Sequence, residues 1–309
     1  MKSGEAVLIK WLTTQAGWGE SSAVTLGIGD DMAIVNVAGS EVLMTTDMLL
    51  DGVHFDSREH DLEAVGRKAV ACSLSDCAAM AVRPVAATVS LALPAEWRLE
   101  DSQRLYRGIN AMADAFDCPI VGGDTTAWDQ RLAIDVAMLG AAYPGLAPLR
   151  RDGAKLGDVL LVTGPLGGSL LGRHLTFTPR VREAKCVREA LGDAVHAVID
   201  ISDGLSLDLH RMCEASGVGA MLEEGLLNDI IHPDARAAAQ HDRRPPLHHA
   251  LTDGEDFELL LAVHPQAVTK SVAGVSLYRV GCITETGLTL RRPGGEAVPL
   301  EPEGFEHLS

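Results

Sequence analysis

The run "LEAVGRKAVACSLSDCAAMA", from Leu62 to Ala81, is small and apolar enough to form a long buried helix, with Asp61 in position to cap it. It nevertheless carries Asp76 in its most apolar part, "SLSDCAAM". An unpaired ionised carboxylate in an apolar helix is costly. Any fold this chain adopts must therefore bring compensating groups to Asp76.

Other acids recur in one kind of context: an apolar strand, a small residue, then a carboxylate. Asp30 and Asp31 follow "GIG", Asp47 ends "VLMTTD" and Asp124 follows "IVGG". Asp200 and Asp203 lie in "VIDISDGL", and Glu255 and Asp256 in "TDGEDFELLL". Each alone reads more readily as turn or cap chemistry: Asp203 can cap a helix starting at Gly204, and Gly-Asp steps mark turns. Glu96, Glu100, Asp101, Glu183 and Glu189 read as solvated helix faces or caps. The repetition favours a cation site. Mg²⁺ takes hard oxygen ligands, keeps several waters and shares its remaining positions with substrate phosphates. Thr45, Thr46, Thr125 and Thr126 add hydroxyl oxygens beside two of the acids. Zinc fits poorly, since no Cys/His spacing suits it, and His248 and His249 read as surface residues of a Pro/Arg-rich loop. Calcium stays open, although no D-x-D-x-D-G loop is present. Of the adjacent pair, Asp30 is expected to face the cations. Asp31, one residue on, is expected to point away and brace backbone or a neighbouring strand.

The formal net charge of −17 opposes nucleic acid and anionic membranes as partners, and 4% aromatic residues supply few stacking platforms. No segment has the ~20 apolar residues of a membrane span. Glu5 and Lys10 interrupt any signal-like run at the start, and six cysteines without a C-x-x-C pair read as reduced, buried thiols. A cytoplasmic protein is expected. Neither G-x-x-x-x-G-K-[ST] nor a strand followed by G-x-G-x-x-G occurs. "VTGPLGGSLLG" can present backbone N–H groups to a phosphate or simply turn, and Arg150 and Arg151 can reach an anion or be ordinary surface arginines. No G-x-S-x-G elbow or activated Cys supplies a nucleophile. Metal-held phosphates need none, because positioning and charge neutralisation carry the transfer.

The 309 residues suffice for two domains. "GEAVLIKWLTT" reads as a helix, "MAIVNV" and "EVLMTTD" as a hairpin, and "VAATVSLALP", "CPIVGGD" and "RLAIDVAMLGAA" as strands. Leu105, Ile109, Met112 and Phe116 form a helical stripe. After the Pro/Gly-rich stretch 141–158 the chain restarts with "VLLVTG", a helix near Arg180–Leu191, "HAVIDIS", a helix at Leu205–Ser216 and strands near Phe257–Val263 and Tyr278–Ile283. An α/β (α+β) chain of two domains is expected, 1–145 and 146–309.

Taken together, "GIGDDMAIV", "TTDMLLDGVHF", "SLSDCAAM", "VGGDTT", "RDGAKLGDVLLVTG", "IDISDGLSLDL", "DGEDFELL" and "GFEHL" resemble the thiamine-monophosphate kinase family. That family lies within the superfamily of aminoimidazole ribonucleotide synthetase and selenophosphate synthetase. The segments follow the family's order from residue 27 to residue 308. The resemblance implies an aminoimidazole ribonucleotide synthetase-like fold, an N-terminal mixed sheet that pairs in a homodimer, and ATP as co-substrate in a cleft between domains. It implies ATP-dependent, Mg²⁺-assisted, direct in-line phosphorylation of thiamine monophosphate to thiamine diphosphate. It further implies Asp30, Thr45, Thr46, Asp47, Asp76, Asp124 and Asp200 as ligands of several Mg²⁺ ions, and Asp203 as ligand of an additional one. Gly123, Asp124, Arg151 and Ser202 would contact ATP; His54, Glu255 and Phe305 would contact the thiamine phosphate. The family carries a longer helical insertion between "VTG" and "GRHLTFTPR", which are almost contiguous here. The alternatives are a superfamily synthetase acting on a ribonucleotide, selenide or a carbamoyl group, and a non-catalytic nucleotide or metal sensor. The reactive Cys or selenocysteine loop expected of a selenophosphate synthetase does not precede "GIGDD".

Overall fold

The computed structural model describes residues 4–15, 23–268 and 270–307. Helix α1 (Gly4–Gln15) comes first, with Val7, Leu8, Trp11 and Leu12 all exposed. A mixed sheet follows, built from β1 (Val24–Leu26), β2 (Ala33–Val37), β3 (Ser40–Leu50), β4 (Arg83–Pro94), β5 (Ile120–Trp128) and β6 (Ala133–Ala141). Its strand order is β1-β2-β3-β6-β4-β5, antiparallel except between β4 and β5. The β2–β3 hairpin closes through Ala38 (φ 52°) and Gly39 (φ 87°), with the Gly39 N–H donating to Asn36 Oδ1 at 2.9 Å. Positive φ at both central residues matches the twist of the flanking strands.

On β6, Ile134, Val136 and Met138 are buried while Leu139 is exposed, so this sheet has one covered face. The cover is α2 (Leu62–Ala79), which also packs on α3 (Leu99–Ala115). The two helices approach backbone to backbone. A Cβ on Gly66 would lie 2.1 Å from Leu105 O, and one on Gly108 would lie 1.8 Å from Glu63 O. Asp61 sits at the N-cap of α2 but makes no side-chain cap bond; its carboxylate pairs instead with Arg104 at 2.6 Å.

The second sheet draws on β7 (Val159–Val162), β8 (Val195–Asp200), β9 (Gly219–Glu223), β10 (Leu259–Val263), β13 (Tyr278–Thr284), β14 (Leu288–Arg291) and β15 (Ala297–Pro299), while β11 (Ser271–Val272) and β12 (Val275–Ser276) form a separate ribbon. Its order is β15-β14-β9-β13-β7-β10-β8. Helices α4 (Val181–Leu191), α5 (Leu205–Ser216), α6 (Glu224–Asn228), α7 (Pro233–Asp242) and α8 (Pro246–Thr252) accompany it. The continuous apolar strands are buried on both faces. Val159, Leu161, Leu259 and Leu261 join the core around α2, whereas Leu160, Val162, Leu260 and Ala262 join a second core with Leu205, Leu209 and Ala250. Helix α2 thus touches β3 and β6 of one sheet and β8 of the other, which sets Asp76 between them.

Some local expectations change. Helices α6 to α8 occupy a stretch where the sequence pattern predicts none. His248 and His249 lie on α8, not in a loop, and buried His249 meets Asp253 at 2.9 Å. Asp203 does not cap α5: Gly204 stands at the N-cap without a side-chain cap bond, and Asp208 in the first turn reaches back to accept from the N–H groups of Asp203 (2.9 Å) and Gly204 (3.1 Å). The six cysteines are free thiols, but Cys186 and Cys282 are only half-buried.

Candidate active site

Three separate elements converge on Asp76 of α2. The bend before β2 contributes Asp30 and Asp31, β3 contributes Thr45 and Asp47, and β8 ends at Asp200. Carboxylate oxygens of Asp31, Asp76 and Asp200 all lie within 4.8 Å of one another. The Thr45 hydroxyl donates to Asp76, Ser75 Oγ donates to Asp200 at 2.6 Å, and Ser73 Oγ donates to Asp47 at 2.6 Å. Arg151 supplies positive charge, pairing with Asp31 at 2.6 Å, and its backbone N–H donates to Asp30 at 3.3 Å.

The orientation of the adjacent pair differs from the sequence expectation. Asp31 turns toward Asp76 and Asp200, while Asp30 accepts from the backbone N–H groups of Asp31 (3.0 Å) and Arg151. Asp31 Oδ2 is buried and has no hydrogen-bond partner among the described residues.

Burial first, and then the neighbouring carboxylates, pushes Asp76 and Asp200 well above the usual carboxylate range. Burial also raises Asp47 to about 6 and, together with Asp31, raises Asp30 to about 6. A group of oxygen donors this crowded, with one oxygen unpartnered, fits hard divalent cations. The donor chemistry therefore agrees with Mg²⁺.

Beside the acids opens a cavity of about 440 Å³. Thr46 and Asp47 from β3, Ser202 and Asp203 beyond β8, and His54, Glu255 and Phe305 all line it. Three of the sequence-proposed cation residues, one nucleotide residue and all three acceptor residues thus line one cavity, whereas Asp30, Thr45, Asp76, Asp124, Asp200, Gly123 and Arg151 do not line it. Glu255 holds a left-handed backbone (φ 52°), its N–H donating to Ser202 O at 2.6 Å. The Phe305 N–H donates to Asp203 O at 2.9 Å, which fixes the tail so that Phe305 and His54 stand with ring centroids 6.3 Å apart. His54 Nδ1 accepts from the Leu50 N–H at 2.9 Å, so that nitrogen carries no proton. Burial, the Lys68 ammonium and His307 lower His54 to about 4.

Residues 29–142 match the family model of the AIR synthase related protein N-terminal domain. A thiamine-monophosphate kinase of Rhodopirellula baltica is 44% identical over 296 residues, covering 92% of each chain. That of Escherichia coli K12 is 33% identical over 321 residues, covering 93% of each. The chain belongs to the thiamine-monophosphate kinase family. Its fold superposes on a solved structure described as "AaThiL complexed with AMPPCP and TMP" with a TM-score of 0.83 and 28% identity, covering 99% of this chain and 97% of the other.

The remaining residues that the thiamine-monophosphate kinase resemblance marks stand at different depths. Asp124 is exposed on β5 and accepts from its own neighbour, the Thr125 N–H, at 2.9 Å. Gly123 has φ 155°, and a Cβ there would lie 1.9 Å from Val89 O, so only glycine lets β5 lie this close to β4. The Thr46 hydroxyl donates to Asp135 at 2.8 Å, because alternation along β3 sends it to the opposite face from Thr45 and Asp47. Asp203 pairs with Arg211. The closing family motif ends at Leu308, outside the described residues.

Sequence reasoning passed over Lys68. It is fully buried, and its Nζ donates to both Glu255 oxygens at 2.6 and 2.8 Å and to His54 O at 2.6 Å. Its signal is present in the sequence: a lysine in the same apolar run poses the same question as Asp76.

Proposed function

We propose that this chain transfers the γ-phosphoryl group of ATP to thiamine monophosphate, giving thiamine diphosphate and ADP. The observation that carries it is the single cavity in which Asp47 and Asp203 meet His54, Glu255 and Phe305. The names of the relatives, and the nucleotide analogue and TMP in the AaThiL complex, support the same assignment. An oxygen of the acceptor phosphate forms the new P–O bond, the bond from the γ-phosphorus to the β,γ-bridging oxygen breaks, and ADP leaves with the electron pair. A phosphate monoester is mostly dianionic near pH 7, with a second pKa of about 6, so no protein base is required. That agrees with a His54 whose Nδ1 is occupied by a backbone donor.

Asp31, Asp47, Asp76 and Asp200 would hold Mg²⁺, with Asp30, Thr45, Thr46, Asp124 and Asp203 as further oxygen donors. When bound, Mg²⁺ supplies the charge neutralisation that lets two polyanions approach. Gly123, Asp124, Arg151 and Ser202 are assigned to ATP, and His54, Glu255 and Phe305 to the acceptor. Phe305 can stack on a ring, and the Glu255 carboxylate can accept from an amino or cationic group. We further assign a two-domain organisation divided at 145/146, and a homodimer formed through the N-terminal sheet. Exposed Met44, Met48 and Leu139 on its outer face, and the exposed edge strand β5, support that pairing. A cytoplasmic setting agrees with the free thiols and with the absence, among the described residues, of any helix long and apolar enough to cross a membrane.

The test is incubation with Mg²⁺, ATP and thiamine monophosphate, with thiamine diphosphate and ADP quantified by chromatography. Stoichiometric appearance of both is the expected result. Turnover confined to another acceptor would refute the assignment.

A further inference from the structure

Glu255 belongs to a short segment whose backbone is held under strain. Gly254, Glu255 and Phe257 have φ of 71°, 52° and 50°. Left-handed backbone at non-glycine residues persists only where the surroundings over-determine it. Those surroundings are present. The buried Asp256 carboxylate accepts from the Gly167 N–H at 2.9 and 3.0 Å and from Arg173 at 2.9 Å. The Phe257 ring stacks on Phe177 with centroids 4.0 Å apart and planes 11° from parallel. Ser169 Oγ donates to Gly254 O at 2.6 Å.

Lys68 closes the remaining side. It comes from α2 and crosses to the strained segment, joining the two halves of the cavity wall. An ammonium has three donors, and here all three have acceptors: two go to Glu255 and one to the carbonyl of His54. A carboxylate has about four acceptor positions, and Lys68 uses one on each oxygen. The others remain for the cavity that Glu255 lines.

Resting on the functional reading above, we propose that Lys68 is a positioning residue for the acceptor: it presents Glu255 as a fixed anion, and holds the His54 backbone, on the side of the cavity that receives the amino-bearing or cationic ring. Lys68 itself is fully buried and has no free donor, so it acts through Glu255 and does not meet the phosphates. The alternative role is a staple between α2 and the 254–257 segment, which would change stability alone.

A double-mutant cycle in KM separates these roles. Wild-type turnover of thiamine monophosphate is measured first; its absence overturns the functional reading and this inference with it. In an active enzyme, Lys68→Met and Glu255→Gln should each raise the acceptor KM about tenfold or more while changing kcat and the ATP KM by less than about threefold. The double variant should be no worse than the worse single one, because both changes remove the same interaction. An unchanged acceptor KM in a folded Lys68→Met protein, or multiplication of the two single effects, overturns the inference and leaves the functional reading intact. If Lys68→Met does not fold, Lys68→Gln decides, because it keeps a donor to Glu255 and removes the charge. A raised acceptor KM at constant ATP KM supports the positioning role, and an unchanged one overturns it.

Discussion

Five aspartates drawn from both halves of the chain crowd one another, and their cost and their use have the same source. Removing a charge from such a cluster relieves repulsion, whereas removing a ligand abolishes cation binding. Asp76→Asn, which removes a buried carboxylate that pairs with no cationic side chain among the described residues, should therefore melt no lower than wild type without Mg²⁺, yet lose about a hundredfold or more in turnover. Calorimetry and the coupled ADP assay check the two halves of that statement. Asp47 adds a pH signature. Its folded carboxyl sits at about 6 against 3.8 for the ordinary group. As pH rises through that window, the unfolded chain ionises Asp47 first, so the folded state loses stability until about pH 6 and no further. The total loss is no more than about 3 kcal/mol. Asp47→Asn should remove this decline, making the variant more stable than wild type above pH 6 in cation-free buffer. Urea unfolding at pH 4 and pH 7 measures it, and equal differences at the two pH values would contradict the buried charge.

At the scale of elements, α2 is the organising piece. It contributes Lys68, Ser73, Ser75 and Asp76, and it can do so only while packed on α3 without side chains between the backbones. The glycine pair that permits this is as important to the site as any ligand. Gly108→Ala would press a methyl group against Glu63 O, at a cost of about 1–3 kcal/mol or more. The expected result is a melting temperature lowered by several degrees, together with reduced turnover, since a displaced α2 carries Lys68 and Asp76 with it. An unchanged melting temperature would mean that the helices separate freely.

At the scale of the whole molecule, the proposed homodimer would pair through the uncovered face of the first sheet. Met44 and Leu139 are register partners on β3 and β6, and both are exposed. A second copy seated there would bury them and protect β5. Leu139→Lys should then convert a dimer to a monomer in sedimentation velocity, and a monomeric wild type would sink the pairing. The variant leaves the acid cluster untouched, so its residual activity reports whether pairing is needed for turnover.

Elements with a clean period are legible in the amino-acid sequence alone: β6 from its alternation, α3 from its stripe, α5 with its boundaries, and the two-faced strands from continuous apolar runs. So are the acids, because an aspartate in an apolar setting is conspicuous wherever it ends up. What tertiary structure decided was direction and partnership. Asp30 and Asp31 lie in a bend before β2, so the strand alternation that predicts their separation does not apply, and Asp31 turns to the cluster. His249 finds Asp253 and Asp242 on an unforeseen helix junction. Lys68 meets Glu255 across most of the chain. Local pattern specifies which residues need a partner, because burial cost is a property of the group; which partner they find depends on contacts between segments distant in sequence, and only the packed molecule determines those.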